Sequence, residues 1–182
     1  CEEDGHVKNL LDVAKVQAIE VWVGKAQLDI ASHPLPATVT EAKYSVGFAV
    51  ASALVAQGAG FAQLNLEFLR RQDVQRLMAA IQLHVVDELR QGDPVFSPAD
   101  RVRVRTVDGA ELDSGPVAYE LGHARRPMGP DLIRAKFLDC AAFGGVEHPE
   151  HAYQVLSHLD DLASLRSLVD AFHPTPSSQG KP

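Results

Sequence analysis

The clearest pattern in this chain of 182 residues is a run of eleven apolar and small side chains, Val46–Ala56, in which only Ser52 is polar. A helix that is apolar on nearly every face cannot lie at a surface, so we predict a central, buried helix. The run is too short to cross a bilayer, which requires about 20 residues. Gly58 stands where a left-handed residue would end the helix.

A two-residue period predicts strands. Val16–Val23 and Gln82–Val86 each read as one strand. Arg101–Val107 alternates Arg or Thr with Val and leads into Asp108-Gly109, a strong hairpin signal, so Ala110–Tyr119 is predicted to return as its antiparallel partner. In the first strand, the residues expected on one face are Ile19, Val21 and Val23.

Helical patterns separate and follow these strands. The predicted segments are His6–Lys15, Leu64–Arg71, a turn or two capped by Asp73, a helix opened by Gly129-Pro130-Asp131, Pro149–Leu159 and Leu162–Phe172. This order predicts an α+β domain over residues 1–172, in which a small, mostly antiparallel sheet packs with helices around the central apolar helix. Residues 173–182 have the composition of a disordered tail.

Charge and cysteine content narrow the function classes. The formal net charge is −7 and there is no basic stripe, which argues against nucleic acid as the main partner. Cys1 and Cys140 form no disulfide framework, and no signal peptide is visible, so a cytoplasmic location is expected. Because the chain starts at Cys rather than Met, we expect a fragment or a processed product.

Candidate chemistry is sparse, and no spacing of His, Cys, Asp or Glu predicts a metal site. The loop Gly122–Pro127, GHARRP, suits an anion because Arg offers a bidentate fork and a helix start follows, but a solvated loop is the commoner explanation. His6 suits a general acid or base, or a helix cap. Lys43 at the mouth of the apolar helix is either functional or part of its polar rim. Cys140 is expected to be a buried thiol.

A series of segments in fixed order resembles the C-terminal domain of the MmgE/PrpD family, which includes 2-methylcitrate dehydratase, cis-aconitate decarboxylase and iminodisuccinate epimerase. The segments are C-x4-H at Cys1–His6, AIEVWV at Ala18–Val23, PLPATVTEAKYS at Pro34–Ser45, DVQRLMAAIQLHVV at Asp73–Val86, RVRVRTVDGAEL at Arg101–Leu112, GHARRPM at Gly122–Met128 and LIRAKFLDCAA at Leu132–Ala142.

The resemblance implies that this domain closes over an all-helical N-terminal domain, in the same or a separate chain, with the active site in the cleft between them. It implies cofactor-free proton abstraction from a small di- or tricarboxylate, followed by loss of water or carbon dioxide. His6 is the implied catalytic residue. Lys43, Arg125 and Arg126 are the candidates for binding the substrate's carboxylates. A homodimer, no nucleic acid and no membrane are expected.

One position departs from the family pattern. Decarboxylase-like members have a cleft tyrosine four residues before the first proline of the P-x-P motif, and this chain has Ile30 there. A 2-methylcitrate dehydratase-like lyase is therefore the preferred function. A decarboxylase or epimerase of the same family remains an alternative, as does a non-catalytic remnant that serves binding or dimerisation.

Overall fold

Strand β1 (Val16–Gly24) is paired on both sides in the computed structural model, which describes residues 11–92 and 95–172. It runs parallel to β2 (Ile81–Val86) and antiparallel to β3 (Arg101–Thr106), and β3 pairs antiparallel with β4 (Glu111–Asp113), giving the order β2-β1-β3-β4. The predicted α+β class with a small, mostly antiparallel sheet is confirmed. The predicted inward residues of β1 are all buried: Ile19, Val21 and Val23.

The hairpin turns at Asp108-Gly109, as the sequence predicts, and Gly109 has a φ of +84° that favours glycine. The returning strand is much shorter than the predicted Ala110–Tyr119. It ends at Asp113 because Gly115, with a φ of +64°, turns the chain out of the ladder. Beyond β4 the pairing continues with a hydrogen bond from the Ser114 N–H to the Val102 carbonyl at 2.9 Å and with an isolated bridge between Val117 and Asp100.

Five helices accompany the sheet in the described part of the first 120 residues: α1 (Lys25–Ile30), α2 (Val39–Ala42), α3 (Val46–Ala56), α4 (Leu66–Leu69) and α5 (Gln72–Ala79). Side-chain oxygens of Thr38, Ser45 and Asn65 cap α2, α3 and α4. Asp73 does not cap α5 as predicted, because it lies inside the first turn and pairs with Arg71. The helix predicted at His6–Lys15 is a single 3₁₀ turn at Val13–Lys15 in its described part.

Helix α3 packs on the core along one face, formed by Gly47, Phe48, Ala51 and Ser52. Its opposite face carries the exposed residues Ala49, Ala53 and Ala56, so the expectation that α3 is enclosed on every side is wrong. The stop signal also differs from the prediction. Gln57, with a φ of 55°, takes the left-handed conformation that was expected at Gly58. The core joins α3 and α5 to the inner face of the sheet, with Ile19, Leu69, Val74 and Leu77 fully buried.

The chain divides into two compact units, the first ending at Glu120 and the second starting at Leu121. The described part of the second unit contains α6 (Pro130–Phe143), α7 (Pro149–Ser157) and α8 (Leu165–Phe172). Phe137 joins them, since its ring centroid lies 5.3 Å from Tyr153 on α7 and 6.1 Å from Phe172 on α8. Pro130 opens α6 as predicted.

Cys140 is exposed, so the predicted buried thiol is wrong. The reason is that α6 buries only a narrow strip, in which Ala141 is its one buried residue. The predicted tail at 173–182 lies outside the described residues. Within the segments that the structure describes, no helix is long and apolar enough to cross a membrane.

Candidate functional site

Lys43 follows the one-turn helix α2, whose position is fixed by its own side chains. Thr38 Oγ1 accepts a hydrogen bond from the Glu41 N–H at 3.2 Å, and Glu41 Oε2 accepts one from the Ala37 N–H at 2.7 Å. The Lys43 N–H closes the turn on the Val39 carbonyl at 3.3 Å. The Lys43 side chain is exposed. A hydrogen-bonded backbone therefore presents this ammonium group to solvent.

A backbone bridge brings the segment after α1 against the segment after α2. Ser32 and Ser45 form an isolated antiparallel bridge, and the His33 N–H donates to the Tyr44 carbonyl at 3.2 Å. We call these two joined segments, together with the last residue of α1 (residues 30–35 and 43–45), the Lys43 surface. The larger of its exposed or half-buried side chains are Ile30, His33, Leu35, Lys43 and Tyr44.

Gly47, in the first turn of α3, determines how closely the Lys43 surface approaches the core. A Cβ atom on Gly47 would lie 2.9 Å from the Pro34 carbonyl oxygen, a separation that real Cβ atoms essentially never show. On its other side the same Cβ would lie 3.9 Å from Ile81 Cδ1 in β2. The Pro34 carbonyl thus lies directly on the Gly47 backbone, and a side chain at position 47 would displace it.

The Glu41 carboxylate lies next to the Lys43 surface and contributes a negative charge there. The hydrogen bond from the Ala37 N–H lowers the pKa of Glu41, and Thr38 and the nearby His33 lower it further. Glu41 therefore favours its ionised form, and its carboxylate accepts the hydrogen bond from the backbone just before α2. The groups that remain for a ligand are the Lys43 ammonium, the Tyr44 hydroxyl and the His33 imidazole, which suit a carboxylate. His33 was missed in the sequence because only the 32–45 bridge brings it near Lys43.

The two candidate arginines lie in a tight turn of the second unit. The Gly122 N–H donates to the Arg126 carbonyl and the Arg126 N–H to the His123 carbonyl, both at 2.8 Å, while the Arg125 N–H donates to His123 Nδ1 at 3.0 Å. Gly122 has a φ of +100°. Both arginine side chains are exposed, and α6 begins shortly afterwards at Pro130, as the sequence predicts.

The predicted site residues are thus placed in different parts of the chain. Lys43 belongs to the first unit, and Arg125 and Arg126 are neighbours in the second. His6 lies outside the described residues. Within ranges 11–92 and 95–172, no group of three or more His, Cys, Asp or Glu residues is arranged to hold a metal ion.

Comparison of the sequence with known families identifies the domain. The profile of the MmgE/PrpD C-terminal domain matches residues 4–161, which include the four strands, α1 to α7 and all four candidate site residues. The chain belongs to the MmgE/PrpD family. No curated protein matches the chain. As a C-terminal domain of the MmgE/PrpD family, it implies an N-terminal domain of that family as its partner.

Proposed function

We propose that this chain is the C-terminal part of an MmgE/PrpD-type lyase that acts on a small di- or tricarboxylate. In this proposal the enzyme abstracts a proton without a cofactor and eliminates water, as a 2-methylcitrate dehydratase does, in an active site shared with the N-terminal helical domain. The observation that carries the proposal is the family match over residues 4–161. The exposed cation Lys43 on a fixed backbone supports it.

The chemistry sets the requirements for such a site. A polycarboxylate substrate needs cationic or hydrogen-bonding groups that neutralise its charge, and the developing carbanion needs the same stabilisation. Lys43, Arg125 and Arg126 are the proposed carboxylate-binding residues. A base within hydrogen-bond reach must take the proton, and His6 is the proposed base.

Exposed apolar side chains support a partner domain. In the first unit, Ile30 is 67% exposed and Leu35 is 61% exposed, both on the Lys43 surface. In the second unit, Leu165 and Phe143 are 70% and 64% exposed. Large apolar residues that are clustered and exposed mark interaction sites. We assign the Lys43 surface, where Ile30 and Leu35 lie in one short segment, to contact with the N-terminal helical domain.

The first experiment compares the chain alone with the chain joined to an MmgE/PrpD N-terminal helical domain. Loss of water from 2-methylcitrate and loss of carbon dioxide from cis-aconitate would be followed by mass spectrometry. We expect no turnover by the chain alone and dehydration by the joined protein. Turnover by the chain alone would show that the partner is not needed. A joined protein that is folded yet inactive on all small polycarboxylates would contradict the lyase function.

Lys43→Ala in the joined protein tests the substrate-binding role. Loss of a charge-assisted hydrogen bond of about 1.5–3 kcal/mol predicts a fall in kcat/KM of roughly 10- to 100-fold. Lys25→Ala is the matched control, because Lys25 is also an exposed lysine of the first unit and, in the part of the chain that the structure describes, pairs with Asp29 on its own helix. Equal activities of the two variants would remove Lys43 from the site. The same comparison of kcat/KM with the Lys25→Ala control applies to Arg125→Ala and Arg126→Ala.

His6→Gln tests the proposed base. We expect a fall in kcat together with loss of the limb of the pH–rate profile that reports the base. Near wild-type activity with an unchanged profile would exclude a catalytic role for His6. Ile30→Tyr tests the alternative reaction, since decarboxylase-like members have tyrosine at this position. If Ile30→Tyr gains the ability to release carbon dioxide from cis-aconitate, the residue at position 30 is what separates this site from that of a decarboxylase.

A further inference from the structure

The two edges of the sheet differ in how they are protected against pairing with another strand. β4 is only three residues long and carries Glu111 and Asp113. β2 has six residues, IQLHVV, with no proline, lysine or acidic residue. Natural edge strands are usually short, charged, bulged or covered, because an open edge pairs readily with another strand. By these criteria β2 is the unprotected edge.

The backbone groups along the open edge of β2 can be assigned. The Ile19 N–H donates to the Ala80 carbonyl at 3.0 Å, and Ile19 is in register with Ile81. In a parallel ladder of this register, Gln82 and His84 direct their N–H and C=O groups towards β1. Those of Ile81, Leu83 and Val85 therefore point away from the sheet. Among the described residues, no backbone hydrogen bond joins these three to another segment.

This edge is complementary to itself. If two copies pair antiparallel about a two-fold axis at Leu83, then Leu83 faces its own copy and Ile81 faces Val85 of the other copy. In this register all three outward-pointing residues form hydrogen-bonded pairs, and each such pair exchanges two bonds. A shift in either direction leaves at least one of them unpaired. The apolar row stays on the inner face, and Gln82 lies opposite His84 on the outer face.

We propose that β2 is a self-association edge, through which two copies of this chain form one continuous eight-stranded sheet. Val85 is 52% exposed although it is on the apolar face of the sheet, and the pairing covers it. A symmetric contact uses the same patch on both copies, as two-fold dimers do. The proposal specifies the surface of the expected homodimer and does not depend on which reaction the family member catalyses.

Charge favours pairing of two copies at this edge over pairing at the β4 edge. The chain has a net charge of −7, so two copies repel each other over most of their surface. In the register centred on Leu83, no charged residue of β2 meets a like charge, since the strand has no acidic, Lys or Arg residue. The next acidic residue, Asp87, stands opposite Ala79. The other edge brings Glu111 and Asp113 together and would repel its copy.

Sedimentation velocity of the full chain over a range of concentrations tests the proposal, with Val85→Lys as the disrupting variant. We expect a concentration-dependent dimer whose dissociation constant rises at least tenfold in Val85→Lys. Leu112→Lys is the matched control. Leu112 is a partly exposed residue of the other edge strand, β4, and is in register with the buried Val104 of β3. Far-UV circular dichroism confirms that both variants fold. A monomer at all concentrations, or equal effects of the two substitutions, would overturn the proposal.

Amide hydrogen exchange distinguishes this edge from any other sticky surface. The Leu83 and Val85 amides should exchange slowly only at concentrations where the dimer forms, whereas the Gln82 and His84 amides, bonded to β1, are protected throughout. Fast exchange at Leu83 and Val85 in a populated dimer would contradict the proposal. Protection that is independent of concentration once the N-terminal domain is joined would show that this domain occupies the edge, and the self-association proposal would then be wrong.

Discussion

Trp22 and His84 stack across the parallel pair β1 and β2, with ring centroids 4.8 Å apart and ring planes 14° apart. They stand directly opposite each other in the register. His84 Nε2 lies 3.3 Å from Glu20 Oε1, close enough for an ion pair when the imidazole is protonated but without hydrogen-bond geometry. From β3, Arg103 and Arg101 approach the Trp22 ring at 5.2 and 5.8 Å. The outer face of the sheet is thus organised around the chain's single tryptophan.

His84→Ala removes the ring that packs on Trp22. We expect a loss of about 0.5–1.5 kcal/mol in the free energy of unfolding, because a stacked pair contributes that much beyond its buried area. The Trp22 emission should shift to longer wavelength as its ring becomes hydrated. Urea unfolding followed by circular dichroism, together with emission spectra, measures both effects. Gln82→Ala, on the same strand and face, should change neither, and equal effects of the two variants would contradict the assignment.

Ser52 in α3 and Ser45 just before it should have opposite effects on stability when each is replaced by alanine. Ser52 is fully buried and its Oγ has no hydrogen-bond partner, whereas buried Ser45 Oγ accepts from the Phe48 N–H at 3.0 Å. We expect Ser52→Ala to stabilise the fold by about 1 kcal/mol, since it removes an unpaired buried hydroxyl and favours helix. Ser45→Ala should destabilise it by about 1 kcal/mol through loss of the cap. Chemical denaturation of both variants measures the sign, and like signs would contradict the assignment.

Asp108 at the hairpin turn should affect acid stability. Hydrogen bonds from Thr106 and then Lys15 lower the pKa of Asp108 from 3.8 to about 2. Because the folded pKa is depressed, the stabilisation is complete above the unfolded value and is lost as the pH falls towards and through the folded value. Asp108→Asn should therefore flatten stability against pH in this window. Arg101 and the Gly115 N–H hold the pKa of Asp113 low as well, so part of the dependence remains. An unchanged acid profile in the variant would contradict this role.

Gly47→Ala tests the contact that supports the Lys43 surface. Alanine normally favours a helix over glycine by about 1 kcal/mol, but at this position its Cβ would meet the Pro34 carbonyl at 2.9 Å. We expect net destabilisation and, in the joined protein, weaker substrate binding. Gly58→Ala is the control, because its Cβ would lie 4.0 Å from the nearest heavy atom, the Ala56 carbonyl oxygen. Thermal unfolding that shows Gly47→Ala to be as stable as wild type would indicate that residues 30–35 are free to move.

Much of the fold can be predicted from local sequence patterns. The alternation in β1, the Asp-Gly turn, the proline at the start of α6 and the apolar run of α3 each predict their element, because these signals act within a few residues. The ordered set of segments also predicts the family. Boundaries are less certain where a neighbouring residue can take the same role, as Gln57 does in place of Gly58.

The candidate site depends more on contacts between distant residues. Lys43 and the arginine loop are visible as local clusters of charge. His33 is not, since its place beside Tyr44 comes from the bridge between Ser32 and Ser45, which are thirteen residues apart in the chain. Exposure of Cys140 and of one face of α3 is equally invisible, because burial depends on what packs against a helix and not on its own composition.

The sequence by itself determined the α+β class, the element order and the family, since period, turn chemistry and ordered motifs are properties of neighbouring residues. Only the tertiary structure decided that β2 joins β1 in parallel as an open edge, that Trp22 stacks on His84, and that the Lys43 surface lies against the backbone of Gly47. These relationships link residues that are far apart in the chain. The two that involve β2 arise because burying one face of the sheet fixes the register of every strand on it.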